Sequence, residues 1–90
     1  MTTPSKRVLA PEQCRAARAL LGWTQAKLAE RTGLARKTIA DFELNLRSFH
    51  SRTLRDITSA FEQAGIEFTW DDEAGGSIGL RLLRRYVVSD

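Results

Sequence analysis

The chain has one Cys and one His, so its only thiol–imidazole pair is Cys14 with His50. Cys14 falls on the apolar side of a helical segment, where a free thiol behaves as a small hydrophobe. His50 has no second His or Cys with which to build a metal site. No Gly-rich phosphate loop, metal-ligand spacing or Ser-His-Asp set occurs. Neither catalysis nor a cofactor is therefore expected. The residues with usable chemistry are charged ones. Arg36 and Lys37 stand together in TQAKLAERTGLARKTIADFE, residues 24–43, with Asp41 one helical turn on. Arg and Lys can donate to guanine O6 and N7, and Asp can accept from cytosine N4; a good bidentate contact discriminates by about 1–3 kcal/mol. Asp41 can equally pair with Lys37, four residues back on a helix, and Arg36 can be a plain solvated cation.

Charge distribution favours a polyanionic partner. Residues 1–50 hold nine Lys or Arg against four acids, whereas residues 51–90 hold five against seven. A basic N-terminal part gathers and orients nucleic acid. Ninety residues make one domain with a small core and leave no room for a catalytic or ligand-sensing domain beside it. A lone Cys precludes an internal disulfide framework and suits a reducing compartment. The N-terminal MTTPSKRVLAPEQ lacks a signal peptide's apolar core. No uncharged apolar stretch approaches the roughly 20 residues of a membrane helix. The expectation is a soluble, cytoplasmic protein.

These residues must be carried by short helices. Pro11 opens a first helix, Pro11 to Leu21, with Cys14, Ala17 and Leu21 on one side and Gly22 as its left-handed stop. Thr24 caps a second, Gln25 to Arg31, ended by Gly33, with Trp23 and Leu28 spaced as a hydrophobic staple. A third runs from Arg36 to about Leu44, its N-cap position filled by Ala35, which has no capping atom; Asn45 supplies the stop. A fourth spans roughly Arg52 to Ala64, with Leu54, Ile57 and Phe61 inward. Ile66, Phe68 and Trp70, then Ile78, Leu80 and Leu82, alternate with polar or small residues, which predicts two half-buried strands of a β-hairpin.

The pattern Leu28, Ala29, Gly33, Leu34, Ile39 and Phe42 resembles the lambda-repressor/Cro-like (XRE-type) helix-turn-helix family. Gly22-Trp23-Thr24-Gln25 looks like that family's junction between its first two helices. Phe42-Glu43, Asn45, Arg47 and Arg52-Thr53-Leu54 look like its exit into a fourth helix. The resemblance covers Cys14 to Leu54 and implies a mainly α fold, a four-helix domain here followed by a C-terminal β-hairpin. It further implies that the third helix enters the major groove with Arg36, Lys37 and Asp41 at base-reading positions. Gln25, with Thr24 beside it, matches a position that meets phosphate and braces the recognition helix. Thr38 joins them as a positioning residue, and Arg47, Ser48 and His50 fall in a loop used for backbone contacts. Arg18 and Glu43 match a partly buried ion pair. Two departures stand out: Ala35 replaces a Ser or Thr cap, and Phe49 and Ser51 replace frequent Pro.

The expected organisation is a flexible arm over 1–10, the helix-turn-helix domain over 11–65, the hairpin over 66–84 and a tail over 85–90. The hairpin's apolar face needs a cover. It can fold back on the fourth helix or pair with a second copy. The homodimer is preferred, since one short motif offers DNA little contact area. Arg81, Arg84 and Arg85 can touch phosphate, though a solvated strand edge is the simpler role. The function implied is a sequence-specific transcription regulator, a repressor on double-stranded DNA. The alternatives are an antitoxin that also binds a toxin partner, or a protein-interaction module on the same fold.

Overall fold

The computed structural model describes residues 8–71 and 77–83. Four helices come first: α1 Pro11–Leu21, α2 Gln25–Thr32, α3 Arg36–Glu43 and α4 Ser51–Gln63. Two strands follow, β1 Ile66–Asp71 and β2 Ser77–Leu82. The helix boundaries fall where capping chemistry puts them. The Thr24 hydroxyl accepts from the Lys27 amide at the start of α2, and Gly33 ends that helix at φ 77°. Asn45, at φ 57°, turns the chain after α3. Ala35 makes no side-chain cap, and neither does His50 at the start of α4.

Helices of eight residues, the length of α2 and α3, do not persist alone in water, so packing must hold them. Leu28 of α2 and Ile39 and Phe42 of α3 meet Cys14 and Ala17 of α1 and Ile57 and Phe61 of α4 in one buried cluster. Phe61 joins its halves. The Trp23 ring stacks on it at 5.7 Å, and Phe68 meets it edge-on at 6.0 Å. On the outer side of Trp23, the Arg31 guanidinium lies 5.1 Å from the ring centroid.

The strands pair antiparallel, with Ile66 opposite Leu82, Phe68 opposite Leu80 and Trp70 opposite Ile78. All six apolar side chains thus share one face. Most of that face packs on the helical core: Ile66 and Phe68 are core residues and Trp70, Leu80 and Leu82 pack against the core, while Ile78 stays 41% exposed. The reason lies in Gln13, which the sequence pattern does not single out. Buried in α1, it donates from Nε2 to the carbonyls of Thr69 (3.2 Å) and Gly79 (3.0 Å), one from each strand. Its Oε1 accepts from the Ala10 amide at 3.0 Å. One side chain therefore ties the hairpin to the start of α1.

The expected arm is divided. Residues 1–7 lie outside the described residues, as do 72–76, Arg84 at the end of the expected hairpin, and the expected tail over 85–90 with Arg85. Residues 8–10 are seated: Leu9 is buried in the core, and the Val8 carbonyl accepts from the Trp70 indole at 3.2 Å.

Gln13→Ala removes three hydrogen bonds at a buried site, so it is expected to lower unfolding free energy by about 2 kcal/mol. Urea denaturation measures the loss. Amide exchange is expected to rise in β1 and β2 before it rises in α3.

Candidate nucleic-acid interface

The third helix is buried on one side by Ile39, Phe42 and Glu43 and turns Arg36 and Lys37 to solvent. A charged residue on the inner side is costly unless its lost water is replaced. Glu43, 3% exposed, has that replacement. Arg18 donates through Nε to Oε2 and through Nη2 to Oε1, both at 2.7 Å, a bidentate fork from α1. Gln25 of α2 donates to Oε1 at 3.0 Å, and the Cys14 thiol to Oε2 at 3.0 Å. Arg15 donates to the backbone carbonyl of Glu43, and Arg18 also donates to the Trp23 carbonyl at 3.1 Å. The last residue of α3 is thereby joined to α1 and α2 together.

Burial pushes the Glu43 carboxyl up, but the hydrogen bonds from Arg18, Gln25 and Cys14 and the Arg18 charge outweigh it. The carboxyl is held below its ordinary value. Burial first, and then the hydrogen bond to Glu43, push the Cys14 thiol up, so it stays protonated and serves as a donor. The hydrogen bonds to Glu43 raise Arg18.

This arrangement reaches the exposed side through one residue. Gln25 donates to Glu43 and accepts from Arg36 Nη1 at 3.1 Å, so the Arg36 guanidinium is aligned by a relay that begins in the core. Gln25 is half-buried, as a bracing residue must be. Asp41 pairs with Lys37 at 3.2 Å, the second of the two roles its spacing allows, and Arg47 Nε lies 3.7 Å away. Thr24 stands at the N-terminus of α2 and Thr38 is half-buried on α3. Ser48 and His50 are exposed in the connection to α4. Arg36, Gln25, Glu43 and Arg18 form one hydrogen-bonded chain; Lys37, Asp41 and Arg47 form a separate group of ion pairs.

Two further donors to Glu43 escaped the sequence reading. Cys14 reads as a core hydrophobe and is one, yet its thiol also donates. Arg15 reads as a surface cation. The available signal was helical spacing, because Cys14 and Arg15 stand four and three residues before Arg18, on the side of α1 nearest Glu43.

A helix-turn-helix family model matches residues 15–64, more than half of the chain. The chain belongs to this family. It is the XRE type, lambda repressor/Cro-like, and the four helices with a terminal hairpin agree with it. Membership makes the chain a DNA-binding helix-turn-helix regulator. No curated protein matches it. Among the described residues, no helix is long and apolar enough to cross a membrane.

Glu43→Gln leaves Arg18 without its counter-charge and is expected to cost about 3 kcal/mol of stability, the low end for a broken buried pair. The low end applies because Arg18 keeps 20% of its side chain exposed. A depressed carboxyl stabilises the fold fully above its unfolded value, about 4.3, and the benefit is lost as pH falls through the lower folded value. The gap between wild type and Glu43→Gln in thermal melts should be widest near neutrality and narrow as pH falls below about 4.3 toward the lower folded value.

Proposed function

We propose that the chain is a sequence-specific transcription repressor that reads operator DNA in the major groove as a homodimer. Arg36 and Lys37 meet base edges from the start of α3. Thr24 and Gln25 at the N-terminus of α2, together with Arg47, Ser48 and His50, meet phosphates and fix register. Thr38 helps to set the height of α3 in the groove. Two-fold symmetry then requires half-sites about 34 Å apart.

The observation that carries this reading is the relay from Glu43 through Gln25 to Arg36. A solvated cation needs no alignment, whereas a guanidinium that must meet guanine O6 and N7 together gains from being held in one orientation. A protein-interaction module on the same fold would give Gln25 and Arg36 no reason to be coupled. The antitoxin reading relied on the apolar face of the hairpin as a toxin surface; most of that face packs on the helical core, and Ile78 is the large apolar side chain it leaves exposed among the described residues.

The test is selection of a preferred duplex from a randomised pool, followed by titration of that duplex and a scrambled one across a salt series. Wild type is expected to prefer the selected duplex, with affinity falling steeply as salt rises. Arg36→Ala should lose about 10-fold or more of that preference, the equivalent of one bidentate base contact. Equal, weak binding to both duplexes by wild type would exclude an operator-reading repressor.

A further inference from the structure

Asp41 is 15% exposed, yet it stands on the helix that carries the base-reading cations. Both of its oxygens are occupied. Lys37 Nζ lies 3.4 Å from Oδ1 and 3.2 Å from Oδ2, and Arg47 Nε lies 3.7 Å from Oδ2. To accept from cytosine N4 the carboxylate would have to share with the base a charge already drawn to two cations.

Arg47 has a second anchor. Its guanidinium carbon sits 4.2 Å from the centroid of the Phe49 ring. Phe49 in turn meets Phe42 edge-on, with centroids 5.5 Å apart and planes at 86°. Phe42 is a core residue, so the stack has a rigid base. A flexible Arg side chain is thus restrained from two directions, by Asp41 on α3 and by Phe49 on the way into α4. Phe49 occupies one of the two positions where the chain departs from its family's frequent Pro.

We propose that Asp41 and Phe49 are positioning residues that hold Arg47 beside α3 as a preformed DNA-backbone contact, with Asp41 also tempering the charge of Lys37 and Arg47 so that duplexes of any sequence are held weakly. This rests on the DNA-reading function proposed above. Preordering lowers the entropy lost when Arg47 meets a phosphate. A carboxylate between two cations cancels part of their attraction for the polyanion, which suppresses the sequence-independent share of binding. Discrimination then falls more heavily on base-edge contacts.

The experiment uses the full chain with the selected and the scrambled duplex. Asp41→Asn is expected to tighten binding to the scrambled duplex about 5-fold and to steepen the salt dependence by roughly one counterion. The ratio between the two duplexes falls accordingly. Asp56→Asn removes the same charge from α4 and should leave that ratio unchanged. Phe49→Leu keeps an apolar side chain against Phe42 but removes the platform; it should weaken both duplexes by a similar factor, about 2- to 5-fold. In the DNA-free protein, the Arg47 side-chain protons should lose their ring-current shift in Phe49→Leu. If Asp41→Asn instead loses preference at one base pair while scrambled-duplex affinity stays at the wild-type level, Asp41 is a base reader and the proposal fails. An unshifted Arg47 in the wild-type spectrum also overturns it. Failure of wild type to bind either duplex would overturn the DNA-reading function and this proposal with it. A normal Arg47 shift in that case would show that the fault lies in the function and not in the brace.

Discussion

Glu43 remains ionised in the core because Arg18, Gln25 and Cys14 supply the hydrogen bonds that water would otherwise give. A buried carboxylate with fewer partners would be several kcal/mol less favourable. Here the same bonds that solvate the charge also fix geometry. α3 is only eight residues long and begins at an alanine that cannot cap it. Its orientation is therefore set from the far end, where Glu43 meets α1 and α2. An apolar residue at position 43 could pack as tightly, but it could not hold Gln25, and Gln25 holds Arg36.

The rest of the fold supports that one point. Cys14 and Arg18 can face Glu43 only if α1 starts where it does. Its start is fixed by Pro11 at the first turn and by the bond from the Ala10 amide to Gln13. Gln13 passes the constraint on to both strands, and Phe61 passes it to Trp23 and Phe68. The hairpin is therefore a lid on the core, at a distance in sequence from the charged residues it helps to steady. The exposed face of α3 can then carry Arg36 and Lys37 without contributing to stability, which frees those side chains for a partner.

Much of this was legible in the residues. Gly33 and Asn45 at positive φ, the Thr24 cap and the helical spacing of Leu28, Ile39, Phe42 and Phe61 marked the helices within a residue or two. Period-two alternation marked both strands and their apolar face. The destination of that face was not legible, because alternation shows that a face is covered without showing by what. The answer depended on Gln13, whose amide reads as an ordinary polar residue near a helix start. The pairing of Arg18 with Glu43 came from resemblance, since residues 25 apart have no local spacing rule to join them. Cys14 as a donor was hidden for the opposite reason. Its burial was readable, and burial alone suggests an inert side chain.

The central claim is that the buried carboxylate hands its geometry to Arg36 through Gln25, and a double-mutant cycle tests it most directly. Gln25→Ala, Arg36→Ala and the double variant are compared for their preference between selected and scrambled duplex. Coupled neighbours in one hydrogen-bonded chain depart from additivity by about 0.5–3 kcal/mol. The relay predicts that Gln25→Ala lowers discrimination when Arg36 is present and changes it little once Arg36 is gone. Additive losses would contradict it, and would mean that Gln25 and Arg36 act on DNA independently.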